Sequence, residues 1–147
     1  FELYEVLAEL EGLSARLAAR RMTDGERSEI QTLHTNLRKL IANDDRDTFP
    51  PLNKKFHDLI HEGAHNGVLH DEIDLLNKRL APYRRIYREE PHDLDVPYFE
   101  HDNVVRALID RDEDVAAQEF RAHTALRSES MTDFIAAYNQ QFERRSA

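Results

Sequence analysis

Leu52-Asn53-Lys54-Lys55-Phe56-His57-Asp58-Leu59-Ile60-His61-Glu62-Gly63-Ala64-His65 is the stretch that decides the fold class. Its Leu52, Phe56, Leu59, Ile60 and Gly63 recur three and four residues apart, which makes one face of an α-helix and not the alternation of a strand. Asn53, His57, His61 and His65 follow one another a turn apart. At 100° per residue, Asn53 lies roughly 60° from the centre of the apolar face, His57 roughly 100°, His61 roughly 140° and His65 roughly 180°. Asn53 and His57 therefore border the core, and His65 faces water.

Two more histidines point inward by the same construction. Along 94–110, Leu94, Val104, Val105, Leu108 and Ile109 form a stripe with His101 in its middle, and Ala116, Phe120 and Phe134 lie within about a quarter turn of His123. Asn53, His57, His101 and His123 can together hold a divalent transition metal, since a neutral imidazole is a good borderline ligand. The same spacing equally describes half-buried histidines that are hydrogen-bonded to other partners.

The rest of the chain extends the helical pattern. Leu3, Val6, Leu7, Leu10, Leu13 and Leu17 define helix one over 1–21, and Thr23 with Glu26 has capping-box spacing for a second helix ending near Asn43. Asp47 is positioned to cap a third helix that admits Pro50 and Pro51 only in its first turn and runs to about Ala64, with Gly63, Asn66 and Gly67 as stop signals. Helix four carries Leu69, Ile73, Leu76, Leu80, Tyr83 and Tyr87, and Pro82 inside it predicts a kink that opens backbone toward the interior. Arg84 projects about 40° from Leu80, either snorkelling or poised for an anion. Glu89 to Pro97 reads as a loop, helix five runs from there to Ile109, and helix six starts near Asp112 and either continues to Tyr138 or breaks around Ser128–Ser130. The expected class is all-α, an antiparallel bundle of six to seven helices in one domain over 1–147.

Composition narrows the function. With 147 residues, 40% hydrophobic and 33% charged, the chain suits one core, and no apolar run reaches the ~20 residues of a membrane span. The absence of cysteine excludes thiolate ligation and fits a cytoplasmic location. A formal charge of −9 makes the isolated chain a poor partner for nucleic acid. The start at Phe1, inside a helical pattern and without an initiator Met, points to a fragment of a longer protein.

Tyr4-Glu5-Val6 with Leu10-Glu11-Gly12, Leu52-Asn53 before Phe56-His57, Ala64-His65-Asn66, Glu100-His101, and Ala116-Ala117 before Ala122-His123 occur in one order. Together they resemble the C-terminal effector-binding (FCD) domain of FadR-like GntR-type bacterial transcription regulators. The resemblance implies a six- or seven-helix domain that senses a small molecule and dimerises, with DNA bound only through an N-terminal winged helix-turn-helix domain absent from this chain. It implies a divalent metal at Asn53, His57, His101 and His123, zinc first with nickel or manganese as alternatives, helping to bind a small carboxylate effector. Two departures stand out. Leu7 replaces an arginine common in helix one, which makes Arg84 the candidate effector contact, and Asn53 replaces the usual Asp. The competing readings are a metallohydrolase with Glu100 or Asp58 as general base, and a metal-free helical dimerisation domain. Long apolar stripes on helices one and four favour a homodimer.

Overall fold

A computed structural model describes residues 1–88 and 95–126 together with 133 and 136, and the side chains of 1–85, 100–126, 133 and 136. Six helices and no strand occur among the described residues: α1 Glu2–Arg21, α2 Asp24–Ala42, α3 Phe49–Gly63, α4 Gly67–Arg88, α5 Asp95–Asp110 and α6 over 113–126. The all-α expectation holds. Local signals explain most boundaries. The Thr23 side chain accepts from the Glu26 amide, and the Glu26 carboxylate accepts from the Thr23 amide at 2.6 Å, so α2 starts on the expected capping box. Asp112 accepts from the Val115 amide at 3.1 Å and starts α6.

Other boundaries differ from the expectation. The residue before α3 is Thr48, not Asp47; Asp45 shapes that turn by accepting from the Thr48 amide at 3.0 Å, with Asp44 left-handed at φ 49°. Asn66 is a start signal rather than a stop: its side chain accepts from the Leu69 amide and caps α4, while the left-handed residue after α3 is His65, at φ 46°. Helix α5 begins at Asp95 and so contains Pro97, because proline is tolerated in a first turn where its missing amide has no partner to lose. The remainder of the expected 89–97 loop and the course of the chain toward Tyr138 lie outside the described residues. Helix α4 passes through Pro82; Pro82 and Lys78 are both exposed, so the carbonyl freed one turn back faces solvent and not the interior.

Contacts fix the directions of the helices. Glu11 meets His57, Ser14 meets Ile60 and Arg21 meets Ala64, so α1 and α3 run parallel. Arg27 meets Leu108 and His34 meets Asp102, so α2 and α5 are antiparallel; Tyr4 with Arg84, and Arg16 with Asp114, set α4 and α6 antiparallel to α1. The result is an up-down bundle. Its main core joins Ala15, Ala18, Ile30, Leu37, Phe56, Ile60, Val104, Leu108 and Phe120, and a second core between α1 and α4 holds Tyr4, Leu7, Leu69, Ile73, Leu76 and Leu80. Arg27, only 5% exposed, fastens the C-terminal ends of α1 and α5 by donating to the Ala19, Met22 and Leu108 carbonyls. At Gly12 an added Cβ would lie 3.0 Å from the Ala117 oxygen and 3.1 Å from Arg121 Cβ, so glycine is what lets α6 lie directly on α1.

Candidate metal centre

Helices α3, α5 and α6 each send one imidazole into the bundle interior at the same level. His101 and His123 are 0% and 1% exposed, and His57 is 8% exposed. The Nε2 atom of His123 stands 3.3 Å from Nε2 of His101 and 3.3 Å from Nε2 of His57. Phe56 stacks on the His101 ring at 4.1 Å between centroids, and Phe120 lies parallel to the His123 ring, with both phenylalanines fully buried. These aromatic walls restrict the ring planes.

The far nitrogens of His123 and His57 face carboxylates. His123 Nδ1 is 2.5 Å from Glu100 Oε2, so that nitrogen carries the proton it donates and the lone pair is left on Nε2, facing the other rings. His57 Nδ1 faces Glu11 Oε1 at 3.6 Å. Glu11 is 3% exposed; its other oxygen accepts from the Thr124 hydroxyl, and Oε1 also lies 3.5 Å from His61 Nε2. Burial by itself raises the Glu11 carboxyl, but hydrogen bonds and charge from His57 and His61 outweigh it and hold the group well below the usual carboxylate range.

This donor set fits a metal ion. For metal–nitrogen bonds of ~2.0–2.1 Å, tetrahedral geometry separates ligand nitrogens by roughly 3.3–3.4 Å and octahedral geometry by roughly 3 Å between neighbours. The two 3.3 Å separations are close enough for the three nitrogens to share one ion. Asn53 sits one turn before His57 on α3, 8% exposed, and its buried Oδ1 has no hydrogen-bond partner, an uncommon state for a buried acceptor. His57, His101 and His123 can hold a metal, and Glu11, His57 and His61 form a second group close enough to share one.

The expected residues are thus distributed unevenly. The three histidines come together, and Asn53 lies on the same helix as His57. Arg84 is at the α1–α4 core instead: its Nε donates to the Tyr4 hydroxyl at 3.0 Å, its Nη1 to Asn77 Oδ1 at 2.8 Å, and its guanidinium lies over the Tyr4 ring. His65 is exposed, as the wheel placed it, and reaches Glu26 at 3.1 Å. His61 departs from its wheel angle, being 4% exposed, because α1 covers that flank of α3 through Ser14 and Glu11. Glu11 itself was overlooked, although it stands one turn from each of the fully buried Leu7 and Ala15, where a carboxylate is out of place unless it serves a site. His34 is another buried polar residue of this level, 3.3 Å from Asp102, and burial lowers its pKa despite that carboxylate.

An all-helical bundle with histidines converging on a dry interior point defines the class, a helical domain with an internal candidate metal centre. The chain matches the FCD domain over residues 2–126, and it belongs to that family. Among solved structures it is similar to E. coli McbR/YncC, with a TM-score of 0.73 and 22% identity over 95% of this chain and 67% of that one, a likeness of fold. No curated protein matches it. No described helix is long and apolar enough to cross a membrane.

Proposed function

We propose that this chain is the ligand-sensing domain of a cytoplasmic bacterial transcription regulator, in which Asn53, His57, His101 and His123 hold a divalent metal. The observation that carries this is the convergence of three buried Nε2 atoms, with His123 Nε2 3.3 Å from each of the other two and carboxylates on the far side of two of the rings. Three imidazoles and an amide suit zinc, with nickel or manganese as alternatives. An ion held by these four residues that takes a fifth or sixth ligand supplies a positive centre suited to a small carboxylate effector. Arg84, held by Tyr4 and Asn77, is the proposed second anion contact. DNA is contacted by an N-terminal domain of the regulator, and effector binding biases one arrangement of the helices and so the spacing of two such domains. The second copy packs on the stripe formed by Val6 and Leu13 of α1 and Val68, Leu75 and Tyr83 of α4, all between 42% and 76% exposed.

Sensing is favoured over hydrolysis by where the acids lie. Glu100 occupies the Nδ1 side of His123, away from the Nε2 cluster, and Asp58 is paired with Lys54 at 2.5 Å on the outer face. Neither is placed to take a proton from a water on the metal. The test is a thermal-shift screen of small carboxylates with and without zinc, nickel or manganese. Stabilisation that scales with carboxylate concentration only when metal is present supports the reading, and indifference to every combination contradicts it.

A further inference from the structure

Asn53 and three imidazoles form a neutral ligand set, so an ion they hold keeps its full +2 charge inside the bundle. Buried charge is costly unless compensated. The compensation available in the bundle is the pair Glu11 and Glu100, each facing the far nitrogen of one ligand ring. Their two negative charges bring the formal sum with a dication to zero.

Glu11 reaches its place by design of the local sequence. It lies on the buried face of α1, Gly12 beside it allows α6 to close on α1, and α6 then brings Thr124 to Glu11 Oε2 and His123 to the cluster. His61 and His57 meet the remaining oxygen from α3. The carboxylate therefore has three partners from two helices, one of them a ligand ring.

We infer that Glu11 is a positioning residue of the metal centre, which acts through His57 by placing beside its Nδ1 the negative charge that the neutral ligand set lacks. This rests on the metal reading above. A neutral imidazole has one proton to place; a carboxylate at Nδ1 draws the proton there and leaves the Nε2 lone pair for the ion. At 3.6 Å the Glu11 contact is looser than the 2.5 Å contact of Glu100 with His123, so Glu11 acts mainly by charge, whereas Glu100 also fixes the tautomer. His61 Nε2 faces the same Glu11 oxygen at 3.5 Å.

The test is a metal titration of the full chain, stripped with chelator and then titrated with Zn2+ or Ni2+ against a chromophoric competitor. Glu11→Gln keeps size and an accepting oxygen and removes only the charge; removal of an outer-shell partner weakens metal binding by ~10–100-fold, and that range is expected here. Thr124→Val, which frees one oxygen of Glu11, weakens it in the same direction by less. The visible spectrum of the Co2+-loaded protein should change in Glu11→Gln, a readout that a purely structural role for Glu11 would not move. A Kd within twofold of wild type in Glu11→Gln overturns the inference while the metal reading stands. If that variant does not fold, an unchanged Kd in Thr124→Val overturns it instead. Failure of the wild type to bind metal overturns the proposed function and this inference together.

Discussion

Replacing Arg27 with Met tests how α1 is tied to α5, the helices that carry Glu11 and His101. Methionine keeps much of the stem and loses every donor. The lost bonds are Nη1 to the Leu108 carbonyl at 2.5 Å and Nη2 to the Ala19 and Met22 carbonyls at 2.9 Å each. A hydrogen bond to a charged group contributes roughly 1.5–3 kcal/mol, so three would sum to about 5–9 kcal/mol if nothing relaxed. These carbonyls lie at helix ends, where water recovers some of them, and the cation no longer has to be desolvated; burial already lowers the guanidinium's pKa from its ordinary value. A net loss of about 3–5 kcal/mol is expected. At roughly 2–4 °C per kcal/mol for a chain of this size, Tm falls by about 6–20 °C. The assay is urea denaturation in excess chelator, so that metal linkage does not contribute, with an unchanged m-value required for the comparison. A loss below about 1 kcal/mol would refute the reasoning, because the three carbonyls would then not depend on Arg27.

Thr23→Ala removes the capping box of α2 and should cost about 1 kcal/mol in denaturation. The Glu26 carboxyl is depressed, first by the Thr23 amide and also by the Thr23 hydroxyl and His65, so its contribution is present above the unfolded value near ~4.3 and is lost as pH falls through the folded one; an acid-unfolding curve of Glu26→Gln that still shows the full wild-type dependence would contradict this. Arg84→Met should lower affinity for a carboxylate hit by ~10–100-fold in calorimetry with little change in fold, and equal affinity would remove Arg84 from the site. Asn53→Asp should tighten metal by adding a charged oxygen and weaken an anionic effector by lowering the net charge, to be read as opposite shifts in the two titrations. Parallel shifts would show that Asn53 does not face the ion.

The sequence carries the helices well because their signals are local. Leu3 to Leu17, Ile30 to Ile41 and the Thr23–Glu26 pair define their segments without reference to any neighbour. Inward placement of His101 and His123 is equally legible, since each sits in the centre of an apolar stripe. His61 and Glu11 are harder: a helical wheel measures one helix against its own apolar face, whereas His61 is covered from the flank by α1 and Glu11 acquires its meaning only when α3 and α6 arrive beside it. Arg84 shows the same limit in reverse. Its direction toward the core side is right, but the core it meets is that of Tyr4 and Asn77, a distinction that depends on which helix packs there. That Asp45 and not Asp47 shapes the turn before α3 is a choice among several acids in one turn, which spacing alone does not rank.

The most direct measurement is the metal content of the chain purified without immobilised-metal chromatography, taken together with its Tm before and after chelator at neutral pH. The account predicts about one divalent ion per chain in the wild type and in His65→Ala, and a chelator-induced fall in Tm that is absent in His101→Ala and His123→Ala. Imidazoles must shed a proton to ligate, and a free one titrates near ~6.5, so the ion should leave below about pH 6. Wild type that is metal-free as purified, takes up no added metal and melts at the same temperature with and without chelator would contradict the account, and the three histidines would be packing alone.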